Sequence, residues 1–191
     1  MTISTALATP DRWDHVVAAF GRRGDDPSWC WCQRFLDPPT DSVGDNRAAL
    51  RNEIDSAAVP PGLIAYVDEV PAGWTRVMPR DELPGIASNR ALQRVLTPDP
   101  GAWWVTCFAV HQRHRQSGVA TALLHAAVEH ARSSGATAVE GHPVDTEALV
   151  AERVSGSALF TGTMSTFVAA GFTEIARTYP SRPVMRRDLI P

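Results

Sequence analysis

Three places in the chain bring together side chains or backbone groups able to do chemistry. The first is Arg115-Gln116-Ser117-Gly118-Val119-Ala120, set between the apolar run Trp103 to Val110 and a long Ala/Leu segment that starts at Val119. A loop there, opening a helix, would aim free backbone N–H groups and a positive helix end at one point. An anion suits that point, and phosphate above all. The second is Glu140 and His142, two residues apart on an extended segment stopped by Pro143 and therefore on one side of it. Either side chain can take a proton. The third is Cys30-x-Cys32 among Trp29, Trp31 and Phe35. On a strand both sulfurs would face one way, as a soft metal requires. No Cys-x-x-Cys or His-x-x-x-His set accompanies them, so small apolar residues in a wall, with no metal, is the better reading.

The elements that must position these residues follow from pattern and punctuation. Trp103-Trp104-Val105-Thr106-Cys107-Phe108-Ala109-Val110 is rich in β-branched and aromatic residues and lacks proline, as a strand covered on both faces would be. After Gly118 the pairs Val119-Ala120, Leu123-Leu124 and Ala127-Val128, then Ala131, recur every four residues, which puts one helix face on a core until Ser133-Ser134-Gly135 stops it. Ala136 to Val144 reads as the next strand. Upstream, Thr9-Pro10-Asp11 starts a helix with Trp13, Val16, Val17 and Phe20 on one face, and Asp45-Asn46 caps another from Arg47 to Ala57. Leu63 to Val67 and Ala72 to Met78 form a hairpin, and residues 79–101 form a long connection or lid with a short helix over Asn89 to Leu96. Downstream come a short helix or loop over Glu147 to Arg153 and a helix capped by Thr161 or Thr163, with Met164, Phe167 and Val168 inward. A last hairpin follows, Phe172 to Thr178 with Val184 to Leu189.

Length and composition bound the rest. A chain of 191 residues suits one domain, 1–191, and no repeat or second domain is visible. A net charge of −3 gives no electrostatic case for nucleic acid or membrane. All 18 basic residues other than histidine are arginine, so Schiff-base enzymes and P-loop hydrolases with their usual lysine are excluded. Met1 to Thr9 lacks the pattern of a secretory signal, and no apolar stretch reaches membrane-spanning length. Three cysteines are an odd, sparse set, so unpaired thiols in a reducing cytoplasm are the expectation.

Arg115-x-x-Gly118-x-Ala120, preceded by one strand and followed by a helix, another strand and Gly171-Phe172, resembles the acyl-CoA signature of the GNAT superfamily of N-acyltransferases over roughly residues 62 to 189. The resemblance implies an α+β fold with a mixed central sheet, helices on both faces, and a V-shaped splay between the parallel strands ending at Val110 and Val144. It implies acetyl-CoA as cosubstrate, its pantetheine arm on the backbone of Phe108, Ala109 and Val110 and its pyrophosphate on Arg115, Gln116, Ser117, Gly118, Val119, Ala120 and Thr121. The acceptor would be a small-molecule or peptide amine, with Trp29, Trp31 and Phe35 as a wall of its pocket, and the protein a homodimer. Two positions depart from the family: Phe167 stands where many members have a tyrosine acid, leaving only Tyr66 and Tyr179 elsewhere, and Thr106 stands where several have a glutamate base. Glu140 is then the first candidate base and His142 the second, ahead of His111 and Asp145, with pairing to Arg177 or Arg186 as the bland alternative for Glu140. The two departures also leave open a catalytically silent acyl-CoA-binding module.

Overall fold

A computed structural model describes residues 1–36, 45–149 and 159–189. Its strands are β1 (Ile3–Leu7), β2 (Gly62–Val67), β3 (Val70–Pro79), β4 (Ala102–Val110), β5 (Ala138–Gly141), β6 (Thr173–Tyr179) and β7 (Arg182–Asp188). They form one sheet in the order β1-β2-β3-β4-β5-β7-β6. Among these strands only β4 and β5 run parallel, and that pairing demands a crossover, which the helix Val119–Ser133 supplies. The mixed sheet with one parallel pair is the expected fold.

The helices are α1 (Trp13–Phe20), α2 (Asn46–Ser56), α3 (Pro84–Ala87), α4 (Arg90–Gln93), α5 (Val119–Ser133) and α6 (Met164–Ala169). On α5 the four-residue recurrence buries Val119, Leu123, Leu124, Ala127, Val128 and Ala131 against Leu63, Ala65, Val77, Val105 and Val139 of the sheet. Each buried leucine there contributes about 2 kcal/mol by removal of apolar surface from water. Phe167 of α6 joins the same cluster. On the opposite face α1 and α2 bring Val16, Phe20, Leu50 and Ile54 around Trp31 and Trp74. A third cluster joins Met78 and Trp104 to Leu83, Ile86 and Leu92 of the 80–96 connection. Asp45 caps α2 as expected, its Oδ1 accepting the Ala48 N–H at 2.8 Å.

Several expectations need correction. β1 went unread because it is a short edge strand whose middle residues are exposed, so it carries no apolar run. β5 covers four residues rather than the expected span 136–144. Val168 is exposed: α6 is only six residues long, and Phe167 alone is fully buried on it. Ser28 to Phe35, to which the sequence assigned no element, consists of turns and a 3₁₀ segment, Gln33–Phe35. Of the element expected over Glu147 to Arg153, residues 147–149 lie in a turn and 150–153 lie outside the described residues.

The cysteines are the largest departure. Cys32 and Cys107 form a disulfide across 75 residues, and Cys30 is free. Spacing alone cannot show that a turn after Trp31 delivers a sulfur to the middle of β4. The pairing removes the reason for assigning a reducing cytoplasm. Among the described residues no helix is long and apolar enough to cross a membrane.

Candidate active site

The site begins where β4 and β5 part. Their register runs from Ala102↔Ala138 to Val105↔Gly141 and stops there, while β4 continues to Val110. Beyond Gly141 the chain turns toward α6, and the Val144 N–H donates to the Gly162 carbonyl at 3.0 Å. Phe167 wedges the strands at this point: a Cβ on Gly141 would sit 2.5 Å from the ring's Cε1, so glycine is the residue that lets the ring lie against the strand end. The ring also meets Phe108 edge to face, with centroids 6.3 Å apart. The result is the expected V-shaped opening.

Backbone direction along the free half of β4 follows from its bonds to β3. The His111 N–H donates to the Ala72 carbonyl at 2.8 Å, and the Cys107 carbonyl accepts the Thr75 hydroxyl at 2.8 Å. Strand alternation then turns the N–H and C=O groups of Phe108 and Val110 into the opening. One step back the β3–β4 register slips: Arg76 faces Cys107 and Val77 faces Val105, which leaves Thr106 as the extra residue of a bulge.

At the far end of β4 lies the anion loop. His111 caps a 3₁₀ turn, Gln112–His114, and the Ser117 hydroxyl donates to the His114 carbonyl at 2.6 Å. Gln116 (φ 61°) and Gly118 (φ 88°) are left-handed, so successive N–H groups converge instead of alternating. The first bond of α5 is Ala122 N–H to the Gly118 carbonyl. Among the described residues nothing accepts the N–H groups of Gln116, Ser117, Gly118, Val119, Ala120 or Thr121, and no carboxylate pairs with the exposed Arg115. Unaccepted N–H groups and the Arg115 charge thus lie together at the start of α5.

The two candidate bases fare differently from the expectation. Glu140 is 1% exposed, and both carboxylate oxygens are taken: Arg80 Nη1 donates to Oε2 and Arg186 Nη1 to Oε1, each at 2.8 Å. Arg186 also binds Asp99 at 2.8 Å, and Arg80 binds the Thr97 carbonyl at 2.9 Å. The group therefore anchors the 80–99 connection to β5 and β7, and the assignment of Glu140 as base is corrected to a structural one. His142 lies just past β5, with Nε2 2.7 Å from the Thr178 hydroxyl. Burial, reinforced by the Arg182 charge, pushes its pKa down to about 4. It is neutral near pH 7 and a weak base.

The other candidates are also engaged. Asp145 binds Arg177 at 2.8 Å, and that hydrogen bond leads the causes holding its carboxyl below the usual range. His111 Nδ1 accepts the Arg113 N–H. Tyr66 stands on β2 with its hydroxyl 2.9 Å from His15 Nδ1, and Tyr179 is exposed at the end of β6, so neither replaces the hydroxyl that Phe167 lacks.

Trp31 and Cys32 are buried in the core of the α1 face. Trp31 stacks on Trp13, whereas Trp29 is exposed beneath the Arg23 guanidinium, 4.5 Å from the ring centroid. Among the described residues no group of His, Cys, Asp and Glu could hold a metal. Sequence reasoning missed Arg76, fully buried on β3 and paired through both Nη atoms with Glu53 of α2. Its signal was legible: one arginine at an inward position between Trp74 and Met78.

No curated protein sequence shows significant similarity to the chain. Solved structures do share its fold. YncA, a putative acetyltransferase from Salmonella typhimurium solved with its cofactor acetyl-CoA, is 13% identical with a TM-score of 0.57, covering 100% of this chain and 95% of its own. The GNAT domain of S. lividans PAT is 16% identical with a TM-score of 0.59, over 99% and 92%. The aminoglycoside acetyltransferase AAC(6')-Ib, solved with coenzyme A and kanamycin, is 15% identical with a TM-score of 0.55, over 98% and 95%. The profile of the acetyltransferase (GNAT) family matches residues 24–150, which include β4, the anion loop and α5, and the chain belongs to that family of acyltransferases.

Proposed function

We propose that this protein moves an acetyl or other short acyl group from acetyl-CoA to a primary amine by direct attack on the thioester. The observation that carries this reading is the row of unclaimed N–H groups from Gln116 to Thr121 at the mouth of the β4/β5 opening. A pyrophosphate fits that row, because converging N–H donors, the positive end of α5 and the Arg115 guanidinium all favour negative charge. From there the backbone of Phe108 and Val110, with Ala109 between them, offers donors and acceptors to the amides of a pantetheine arm. Acetyl-CoA supplies an acyl carbonyl already bonded to a thiol leaving group. The chain's own residues fix one end of that substrate at the loop, hold its arm along β4, and present main-chain N–H groups to the carbonyl oxygen.

Of the sequence candidates, Glu140 and Asp145 are both bound by arginines. The amine's proton leaves through water, and a thiolate whose solution pKa is about 8.5 leaves without an acid from Phe167. The amine class of acceptor rests on family membership and on the aminoglycoside enzyme with its bound kanamycin. A second reading, a silent acyl-CoA-binding module, is favoured by the buried Phe167 and the occupied Glu140. Thiol release from acetyl-CoA over a panel of primary amines separates them. Turnover with at least one amine supports transfer, whereas tight acetyl-CoA binding with no thiol release from any of them leaves the module.

A further inference from the structure

All three cysteines of the chain bear on one turn. Cys32 is bonded to Cys107, and Cys30, two residues before Cys32 and half-buried, keeps a free thiol. The Gln33 N–H donates to the Cys30 carbonyl at 2.8 Å, and the two residues inside that turn, Trp31 (φ 40°) and Cys32 (φ 58°), are both left-handed. Such a turn favours glycine and asparagine, and side chains with a Cβ cost it about 1–2 kcal/mol per residue. It persists because both central residues are held: Trp31 by complete burial and an indole bond to the Asp26 carbonyl, Cys32 by its bond to β4. The disulfide is shielded, with Cys32 5% and Cys107 3% exposed, so Cys30 is the sulfur that a thiol in solution meets first. Cys32 Sγ also accepts the Trp74 indole N–H at 3.1 Å. A donor there stabilises a thiolate on Cys32, and a stabilised thiolate leaves faster.

The bond also closes a circuit of contacts beside the free half of β4. Phe35, three residues after Cys32, packs on Phe160 with ring centroids 6.4 Å apart, and Gly162 stands against the ring of Phe108, the neighbour of Cys107. We propose that Cys30, Cys32 and Cys107 form a thiol–disulfide exchange site through which a dithiol opens this circuit and slows acyl transfer; the effect on transfer rests on the acyl-transfer reading above. The Cys30 thiolate attacks Cys107 Sγ. The Cys30–Cys107 bond forms as Cys32–Cys107 breaks, and the proton lost by Cys30 ends on Cys32. One thiol of the dithiol then attacks Cys30 Sγ and releases Cys107, and its second thiol displaces Cys30. The dithiol leaves as a disulfide, and its two protons end on Cys107 and Cys30. With the bond gone, nothing covalent holds Cys32 in the left-handed turn, and Phe35 is free to part from Phe160.

The test follows free thiols by mass spectrometry during reduction of the whole protein with dithiothreitol, in wild type, Cys30→Ser and Cys32→Ser. Acetylation of n-butylamine and kanamycin is measured by product mass in both redox states, beside acetyl-CoA calorimetry. The proposal expects reduction to be about tenfold or more slower in Cys30→Ser, and Cys32→Ser to form a Cys30–Cys107 bond with oxidised glutathione. It expects kcat/KM for the amine to fall about tenfold on reduction and to return on reoxidation, since a displacement of about 1 Å near the reacting groups can cost about a hundredfold. Acetyl-CoA affinity should stay within twofold, because the anion loop lies at the far end of β4. Equal reduction rates in wild type and Cys30→Ser overturn the exchange site, as does the absence of a Cys30–Cys107 bond in Cys32→Ser. Unchanged acetylation in fully reduced protein overturns the control of transfer, and loss of acetyl-CoA binding on reduction does so too, as the mark of general unfolding. If wild type binds acetyl-CoA but acetylates neither amine in either state, the acyl-transfer reading fails by itself, and the exchange site is decided by the reduction rates.

Discussion

At the scale of single residues, the distinction that matters is between a titratable group that faces a cleft and one that is already bound. Glu140 has the type and position of a base, yet Arg80 and Arg186 satisfy both its oxygens in a setting only 1% exposed. Removing the negative charge strands two arginines. Glu140→Gln should therefore cost about 3 kcal/mol or more of folding stability in denaturant titration, while acetyl-CoA affinity of the folded fraction stays unchanged. His142 sets a pH dependence of definite sign. Its pKa falls from 6.5 in the unfolded chain to about 4 in the fold, so between those values the unfolded state binds the extra proton. The stability it contributes is present above pH 6.5 and lost as pH falls toward 4, about 3 kcal/mol in all. Denaturation at pH 7 and pH 4.5 should show this loss in wild type and a smaller one in His142→Asn.

At the scale of elements, β4 joins three devices: the pairing that ends at Val105, the bulge at Thr106 and the disulfide at Cys107. The disulfide ties Ser28 to Phe35, on the α1 face, to the same strand whose far half lines the opening. Closing a loop of 75 residues restricts the unfolded chain by about 4 kcal/mol in the entropy account. Unfolding in denaturant with and without dithiothreitol should differ by about 2–4 kcal/mol, and Cys107→Ser should match the reduced protein; coincident curves would contradict the link.

β4, α5 and the anion loop were legible because each is written locally, as an uninterrupted β-branched run, a four-residue apolar recurrence and a glycine at the helix start. The Cys32–Cys107 pair, the Arg80–Glu140–Arg186 group and the bulge were not. Each depends on which distant segments the sheet order brings together, and no local pattern encodes that. β1 was illegible for a different reason, since an edge strand with exposed middle residues leaves no apolar run.

At the scale of the molecule, two faces of one sheet divide the labour. α5 and α6 close one face with a continuous apolar core, and α5 begins at the loop; the other carries α1, α2 and the Arg76–Glu53 pair. An acyl donor lying in the opening between β4 and β5 would reach both faces. The account rests on that donor being held by the loop at Gly118. Calorimetry of acetyl-CoA binding to wild type, Arg115→Ala and Gly118→Glu tests this most directly. A Cβ at position 118 meets only Ile3 Cδ1, at 3.7 Å, so the glutamate fits sterically; its left-handed backbone costs about 1–2 kcal/mol of stability and leaves the fold intact. Its carboxylate stands where a pyrophosphate must lie. Gly118→Glu is expected to lose at least about 3 kcal/mol of binding, more than a hundredfold in Kd, and Arg115→Ala to lose less because the backbone donors remain. Unchanged affinity in a folded Gly118→Glu protein would contradict the account.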